Sequence, residues 1–382
     1  MVAFSSFFQQ MLRLFPRAEF DAMVRKHRAE RHARGFTSWE QFVSMLFCQL
    51  GRAQSLREIC DGLGSIEGKA RHLGIEAPKR STLAYANEHR PWEMFESVFH
   101  GLLSRLQTEI APGHKFRFKN RLLSMDGTII ELCASSFDWA HYKRLKGAVK
   151  LHMILDHAGC LPAFCRITEG NVHEIQVART LEFATGTIVV FDRGYVDYEW
   201  FRSMSERKVW FVTRLRDNIN YSVVEQRSVR GPVVRSDEVI LLEKHRTYGF
   251  EPLRLRRVVV AGEDGDFEIF TNNFTLAAST IGEIYRQRWQ IENFFRAIKQ
   301  NLRIKTFVGT SANALKIQIW SALIAILILK YLQLKARCGW SLSRLVALIR
   351  MHLFTYRELW SWLDNPFDPH DPPTNQMTLQ LG

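Results

Sequence analysis

Three acidic residues stand where a chain could bring them together for chemistry: Asp126 in SMDGTIIEL, Asp192 in VVFDRGYVDY and Glu292 in YRQRWQIENFFRAIK. Carboxylates converging from separate elements suit Mg2+ or Mn2+, which take oxygen ligands. Two such ions about 3.5 to 4 Å apart activate an attacking water or hydroxyl and stabilise the leaving oxygen of a phosphodiester. Each acid also has an ordinary structural use. Asp126 can head a turn with Gly127, Asp192 can cap a helix, and Glu292 can pair with Arg288 one turn back.

The stretch around Glu292 separates these readings. Offsets of three, four and seven residues keep Tyr285, Arg288, Glu292 and Lys299 on one helical stripe, while Ile281, Ile284, Ile291, Phe294 and Ile298 turn toward a core. A solvated face would mix its signs. A lone acid among cations and aromatics suits a phosphate clamp with a metal ligand in its middle.

The elements that must position these residues follow from hydrophobic periodicity. From Phe4 to about Leu106 apolar residues recur at three and four, as in FVSMLFCQL, which predicts a separate small helical domain. Within it, SLREICDGL and KRSTLAYANEHR fit a helix-turn-helix that reads DNA, its second helix capped by Ser81 or Thr82 and bearing Lys79, Arg80, Tyr85, Asn87, His89 and Arg90. RLLSMDGTIIEL, AVKLHMILD and PAFCRIT predict three antiparallel strands, and Val172 to Ala184 a helix. TIVVFDRGY reads as a buried central strand with Asp192 at its end, DYEWFRSMSERK as a helix and VWFVTRL as a strand. The order β-β-β-α-β-α-β is that of a ribonuclease-H-like α/β fold.

Six segments result: a helical DNA-binding domain over 1–112, the first part of the core over 113–215, a β insertion over 216–275, the glutamate helix over 276–310, C-terminal helices for dimerisation or DNA contact over 311–363, and a disordered Pro-rich tail over 364–382. Lys146 and Lys150, with Lys143 and Arg144, are candidates to line a DNA groove, and His173 to contact DNA near the acids.

Hydrophobic content of 46% and charged content of 24% are those of a globular chain, and a net charge of +13 points to a polyanionic partner, most simply DNA. Between Asn293 and Arg357 there are eleven Lys or Arg and no Asp or Glu, which predicts a stretch laid against phosphates. Six cysteines without a CxxC pair read as reduced thiols in a cytoplasmic protein. The N-terminus lacks signal-peptide features, and WSALIAILIL, closed by Lys330, is too short to span a membrane and reads as a buried helix.

These residues carry a family resemblance. Tyr285, Arg288, Glu292 and Lys299 reproduce, with its spacing, the YREK signature of bacterial DDE transposases of the insertion-sequence-four family, and the runs around Asp126 and Asp192 resemble that family's two aspartate motifs. The resemblance implies an RNase-H-like catalytic domain with two Mg2+ ions held by Asp126, Asp192 and Glu292. It also implies cut-and-paste movement of an element with terminal inverted repeats, by a homodimer on paired double-stranded ends that then attacks target DNA. Tyr285 and Arg288 would contact DNA near the cleaved phosphate, and Lys299 a phosphate.

The sequence departs from that pattern in one respect. Hairpin-forming relatives stack a flipped base on a tryptophan in the insertion, yet residues 211–288 contain none. Tyr221, Tyr248 or Phe250 are left as stacking candidates, with Trp210 and Trp289 read as core residues. A catalytically inactive DNA-binding relative would have lost carboxylates that are present here. Another Mg-dependent nuclease of the same fold gives no reason for the full YREK spacing.

Overall fold

The computed structural model describes residues 5–31, 33–66, 68–109, 114–132, 147–215, 219–229, 231–242, 252–262, 265–302 and 307–368. Six helices precede the sheet: α1 (Phe7–Leu12), α2 (Arg17–Lys26), α3 (Ser38–Leu50), α4 (Leu56–Gly64), α5 (Arg80–His89) and α6 (Glu93–Glu109). Their starts are chemically specified where polar side chains allow. Thr37 and Glu40 close a capping box on α3, and Ser55 caps α4.

α4 and α5 are separated by a fifteen-residue connection (65–79) with a 3-10 turn at Lys69–Leu73, too long for the tight turn of a helix-turn-helix. α5 begins one residue before Ser81, with Lys79 as an N-cap that makes no side-chain bond, so neither Ser81 nor Thr82 caps it.

The sheet is built from β1 (Leu122–Leu132), β2 (Gly147–Asp156), β3 (Leu161–Glu169), β4 (Ile188–Val190), β5 (Trp210–Thr213), β6 (Tyr221–Gln226), β7 (Val234–Leu242), β8 (Leu253–Val260) and β9 (Phe267–Thr271). Its order is β3-β2-β1-β4-β5-β9-β8-β7-β6. β1 to β3 pair antiparallel, β4 lies parallel to both β1 and β5, and β9 joins β5 antiparallel. The insertion therefore extends the same sheet rather than forming another layer.

Two short helices, α7 (Glu174–Ala178) and α8 (Tyr198–Glu206), follow β3 and β4, so the helix expected over 172–184 is a short one. TIVVFDRGY is a three-residue strand, after which Asp192 caps a 3-10 turn at Arg193–Tyr195.

Beyond the insertion run α9 (Ala278–Gln287), α10 (Trp289–Asn301), α11 (Ala312–Lys335), α12 (Leu342–Met351) and α13 (Leu359–Asp364). The single helix expected over 279–301 is two abutting segments, with Arg288 N–H bonded to Tyr285 O and Ile291 N–H to Arg288 O, a tightened turn at the junction.

α11 is apolar all round because it is enclosed all round. It is long and apolar enough to cross a membrane, longer than WSALIAILIL alone suggested, and 83% of its apolar window is buried inside the protein. It packs on α3, α5, α6 and α12. One continuous core accordingly joins Phe7, Phe42, Phe99 and other N-terminal side chains to Trp320, Leu345 and Trp362, and reaches Ile130 and Val149 of the sheet and Ile291 of α10. The helices of both termini share that core. The opposite sheet face packs Leu123, Met125, Val189 and Phe191 against Trp200 and Phe201 of α8.

Candidate active site

Register brings the two aspartates together. In the parallel pair of β1 and β4, Ser124 lies opposite Val190, so Asp126, still within β1, stands beside Asp192, which follows the end of β4. Asp126 is in phase with Leu122, which packs with Ile188 and Val190 under Ile281 and Ile284 of α9, so it faces the side that carries α9 and α10. α10 lies along β1 and supplies Glu292.

Asp126 heads no turn, because it and Gly127 lie within β1, but its Oδ1 accepts from Gly127 N–H at 2.7 Å; Asp192 does cap a 3-10 turn, its Oδ1 accepting from Gly194 N–H at 2.9 Å. Burial first, and the neighbouring Asp192 carboxylate second, push Asp126 up to about 7, and Glu292 adds to the rise.

Arg288 is the counter-ion within this group. Its Nη1 lies 2.7 Å from Glu292 Oε1 and 3.7 Å from Asp126 Oδ2. Its guanidinium sits 5.8 Å from the Tyr285 ring centre, and its buried Nε has no hydrogen-bond partner among the described residues. Tyr285 is half-buried, and burial raises its phenol above the ordinary range. Lys299 Nζ donates to Ile129 O at 2.9 Å, three residues along β1 from Asp126, so the stripe is pinned to β1 at both ends.

Among the described residues no three His, Cys, Asp or Glu side chains, Asp126, Asp192 and Glu292 included, stand close enough together to hold a metal ion. Their chemistry nonetheless fits a divalent cation: three hard oxygen donors come from three elements, and the crowding of like charge on Asp126 is what a bound cation relieves.

Other predicted residues fall elsewhere. Lys150 does not line a groove: it is 7% exposed, and its Nζ donates to Glu174 Oε1 and Val172 O, each at 2.9 Å. It ties β2 to the start of α7, because a buried ammonium needs partners. His173 is exposed beside this pair and its ring does not cap α7. Lys79 and Arg80 are exposed at the start of α5.

Tyr221 is unsuited to stacking a base at the acids. Five strands of the sheet order separate β6 from β1, and its ring is occupied by Arg257, 5.7 Å from the ring centre, and by Phe270 at 6.3 Å. Lys143, Arg144, Lys146, Tyr248 and Phe250 lie outside the described residues, as do 369–382 of the tail, whose first residue, Asp364, closes α13.

The acid-free basic stretch is not one phosphate track. Lys335 pairs with Glu109, Arg337 with Asp364, and Arg350 donates to the carbonyls of Leu50 and Asn301. The balancing acids come from other elements, which a count along the chain does not see. The described cysteines are all free.

Trp289 departs from expectation. Read from the sequence as a core residue, it is 55% exposed directly after Arg288. Its spacing, four after Tyr285 and three before Glu292, puts it beside the stripe, a signal present in the sequence.

The fold is a mixed α/β sheet that brings Asp126, Glu292 and a largely covered Arg288 together on one face. The family follows from comparison with known sequences. Residues 117–328, more than half of the chain, match the family described as "Transposase DDE domain", and residues 4–76 match a domain of unknown function (DUF4372). "Putative transposase y4zB" of Sinorhizobium fredii is 33% identical over 78% of this chain and 82% of its own length. A Geobacillus stearothermophilus protein, "Probable transposase for insertion sequence element IS5377", is 28% identical over 81% of each chain. The cryo-EM structure of the piggyBac transposase synaptic complex with hairpin DNA covers 97% of this chain and 87% of that one at 11% identity, but its TM-score of 0.46 is too low to bear on fold or function. The chain belongs to the DDE transposases of insertion elements.

Proposed function

We propose that this transposase binds the terminal inverted repeats of its own element and moves it by cut-and-paste strand cleavage and strand transfer, working as a homodimer in the cytoplasm. The carrying observation is the convergence of Asp126, Asp192, Arg288 and Glu292 on one sheet face. The strand order β3-β2-β1-β4-β5, with β1 to β3 antiparallel and β4 and β5 parallel to β1, supports an RNase-H-like core extended by the insertion.

Asp126, Asp192 and Glu292 would hold two Mg2+ ions, with Mn2+ able to substitute. Bound there, the ions supply Lewis-acid activation of the attacking oxygen and charge for the leaving one. Arg288 releases Glu292 and turns its guanidinium to a phosphate, for which its fork is shaped. Tyr285 and the exposed Trp289 face the adjoining nucleotide, Trp289 taking the stacking role that the insertion leaves unfilled. Lys299 keeps α10 seated on β1 and meets the phosphate backbone from that position.

Purified protein is incubated with DNA from the flanks of its own gene plus Mg2+, and the products are resolved on denaturing gels. Asp126→Ala, Asp192→Ala and Glu292→Ala are each expected to abolish cleavage while end binding stays within a few-fold. Cleavage retained by any of the three sinks the catalytic assignment.

A further inference from the structure

Away from the carboxylates, a cleft of about 860 Å3 opens between the turns that follow α2 and the exposed face of α5. That is the size of a site for a ligand of one or two nucleotides, not for a duplex cross-section. Its wall carries Arg28, Arg31 and Arg34, all exposed, and no ion pair engages any of them among the described residues. Among the described residues no Asp or Glu lines it. Glu30, the acid lying between two of these arginines in sequence, is directed instead at Ser38 N–H.

The facing wall carries Tyr85, 65% exposed and stacked on His89 at 4.0 Å between ring centres and 17° between planes. Deeper in, Arg90 is only 9% exposed; it donates to Phe36 O and sits over the Phe36 ring, 5.3 Å from its centre. The cleft thus has a buried cation at its base, three uncommitted guanidiniums on one side and a presented aromatic platform on the other. Anionic phosphate and a planar base are what these two walls bind together.

The cleft is held by the scaffold. Asn313 at the start of α11 donates to Asn87 O at 2.9 Å and to Arg90 O at 2.6 Å, fixing the end of α5 to the central helix. A strand seated here is therefore anchored to the same helical core against which α10 packs.

We propose that this cleft is a second nucleic-acid site, in which one strand of DNA lays a base on the Tyr85–His89 stack and its phosphates on Arg28, Arg31 and Arg34. The inference rests on the transposase reading, since it supplies a strand to hold. Of the residues the sequence singled out on α5 for DNA, Tyr85, His89 and Arg90 line it and Lys79, Arg80 and Asn87 do not.

The test uses the full chain and two fluorescent probes, a short single-stranded oligonucleotide carrying 2-aminopurine and a duplex of the element's end. For Arg28→Ala/Arg31→Ala/Arg34→Ala, affinity for the single strand is expected to fall at least about tenfold at 0.1 M salt. The slope of log K against log salt should shrink by about two, since each phosphate that is no longer neutralised removes about 0.7. Tyr85→Ala should weaken binding about fivefold or more and remove the 2-aminopurine quench while leaving the salt slope unchanged. Thermal melting should match wild type, because all four side chains are exposed.

Wild-type affinity and slope in the triple variant overturn the cleft, and so does a loss of affinity confined to the duplex probe. Wild-type protein that cleaves no end DNA overturns the transposase reading. Cleavage that is intact in wild type, with cleft variants indistinguishable from it in binding, overturns the cleft alone.

Discussion

Two arginines facing the same sheet are buried to different ends. Arg256, 2% exposed on β8, grips Asp237 through Nε at 2.8 Å and Nη2 at 2.7 Å, and its Nη1 reaches the carbonyls of Asn273 and Leu276. Arg288 has one short contact to Glu292, a long one to Asp126 and a buried Nε with no partner among the described residues. The first arginine is satisfied in the folded chain and fastens the insertion to the approach of α9. The second is left short of partners beside a carboxyl pushed up to about 7, and so is poised for a ligand that the folded chain does not itself provide. Completeness of pairing, rather than burial, separates the structural charge from the site charge.

That contrast can be tested through stability. Asp237→Ala strands the Arg256 charge and is expected to cost about 3–5 kcal/mol in urea unfolding; a change under about 1 kcal/mol would break the contrast.

Next in size is a pH effect at Asp126. Its folded value of about 7 lies above the ordinary 3.8, so the fold favours the protonated form. That contribution is full below about pH 4 and is lost as pH rises through about 7. In metal-free buffer Asp126→Asn should therefore match wild type near pH 4 and become more stable by a few kcal/mol at about pH 8. A difference in Tm that does not change with pH refutes the upward shift that burial first, and Asp192 second, give Asp126.

Lys150→Met should cost about 1–2 kcal/mol, because Glu174 is partly exposed and water can replace the missing ammonium. DNA affinity and its salt slope should stay unchanged; a shallower slope would restore the groove role first expected of Lys150. Arg288→Ala should change stability by less than about 1 kcal/mol while reducing strand cleavage at least about tenfold. The opposite pattern, a large unfolding effect with normal cleavage, would place it with Arg256. The smallest stability effect is expected for Trp289→Ala, near zero for an exposed ring, and 2-aminopurine placed next to the cleaved phosphate should report weaker stacking.

Much of the site was legible because it depends on local order. The YREK spacing fixes a helical stripe, and an acid at the end of an apolar run fixes where a strand delivers it. The core strands were legible for the same reason, whereas β6 was not singled out. Less was legible where partners are distant in sequence. Lys150 looked like a groove cation until Glu174 was placed beside it, and Trp289 looked like core because a helical pattern does not say how wide the covered face is. The fifteen-residue connection between α4 and α5 is also where a polar pattern did not reveal a tight turn to be absent.

The sequence by itself determined the spacing around Glu292, the order of the core strands and the burial of α11, because each follows from side-chain chemistry and a period of two or 3.6 residues. Only the tertiary structure decided which charges are spent. It set Lys335 on Glu109, Arg256 on Asp237 and Lys150 on Glu174, and left Arg288 short of partners and Arg28, Arg31 and Arg34 without ion pairs among the described residues. Ion pairing acts over a few ångströms, and which groups come that close is fixed by packing, not by separation along the chain.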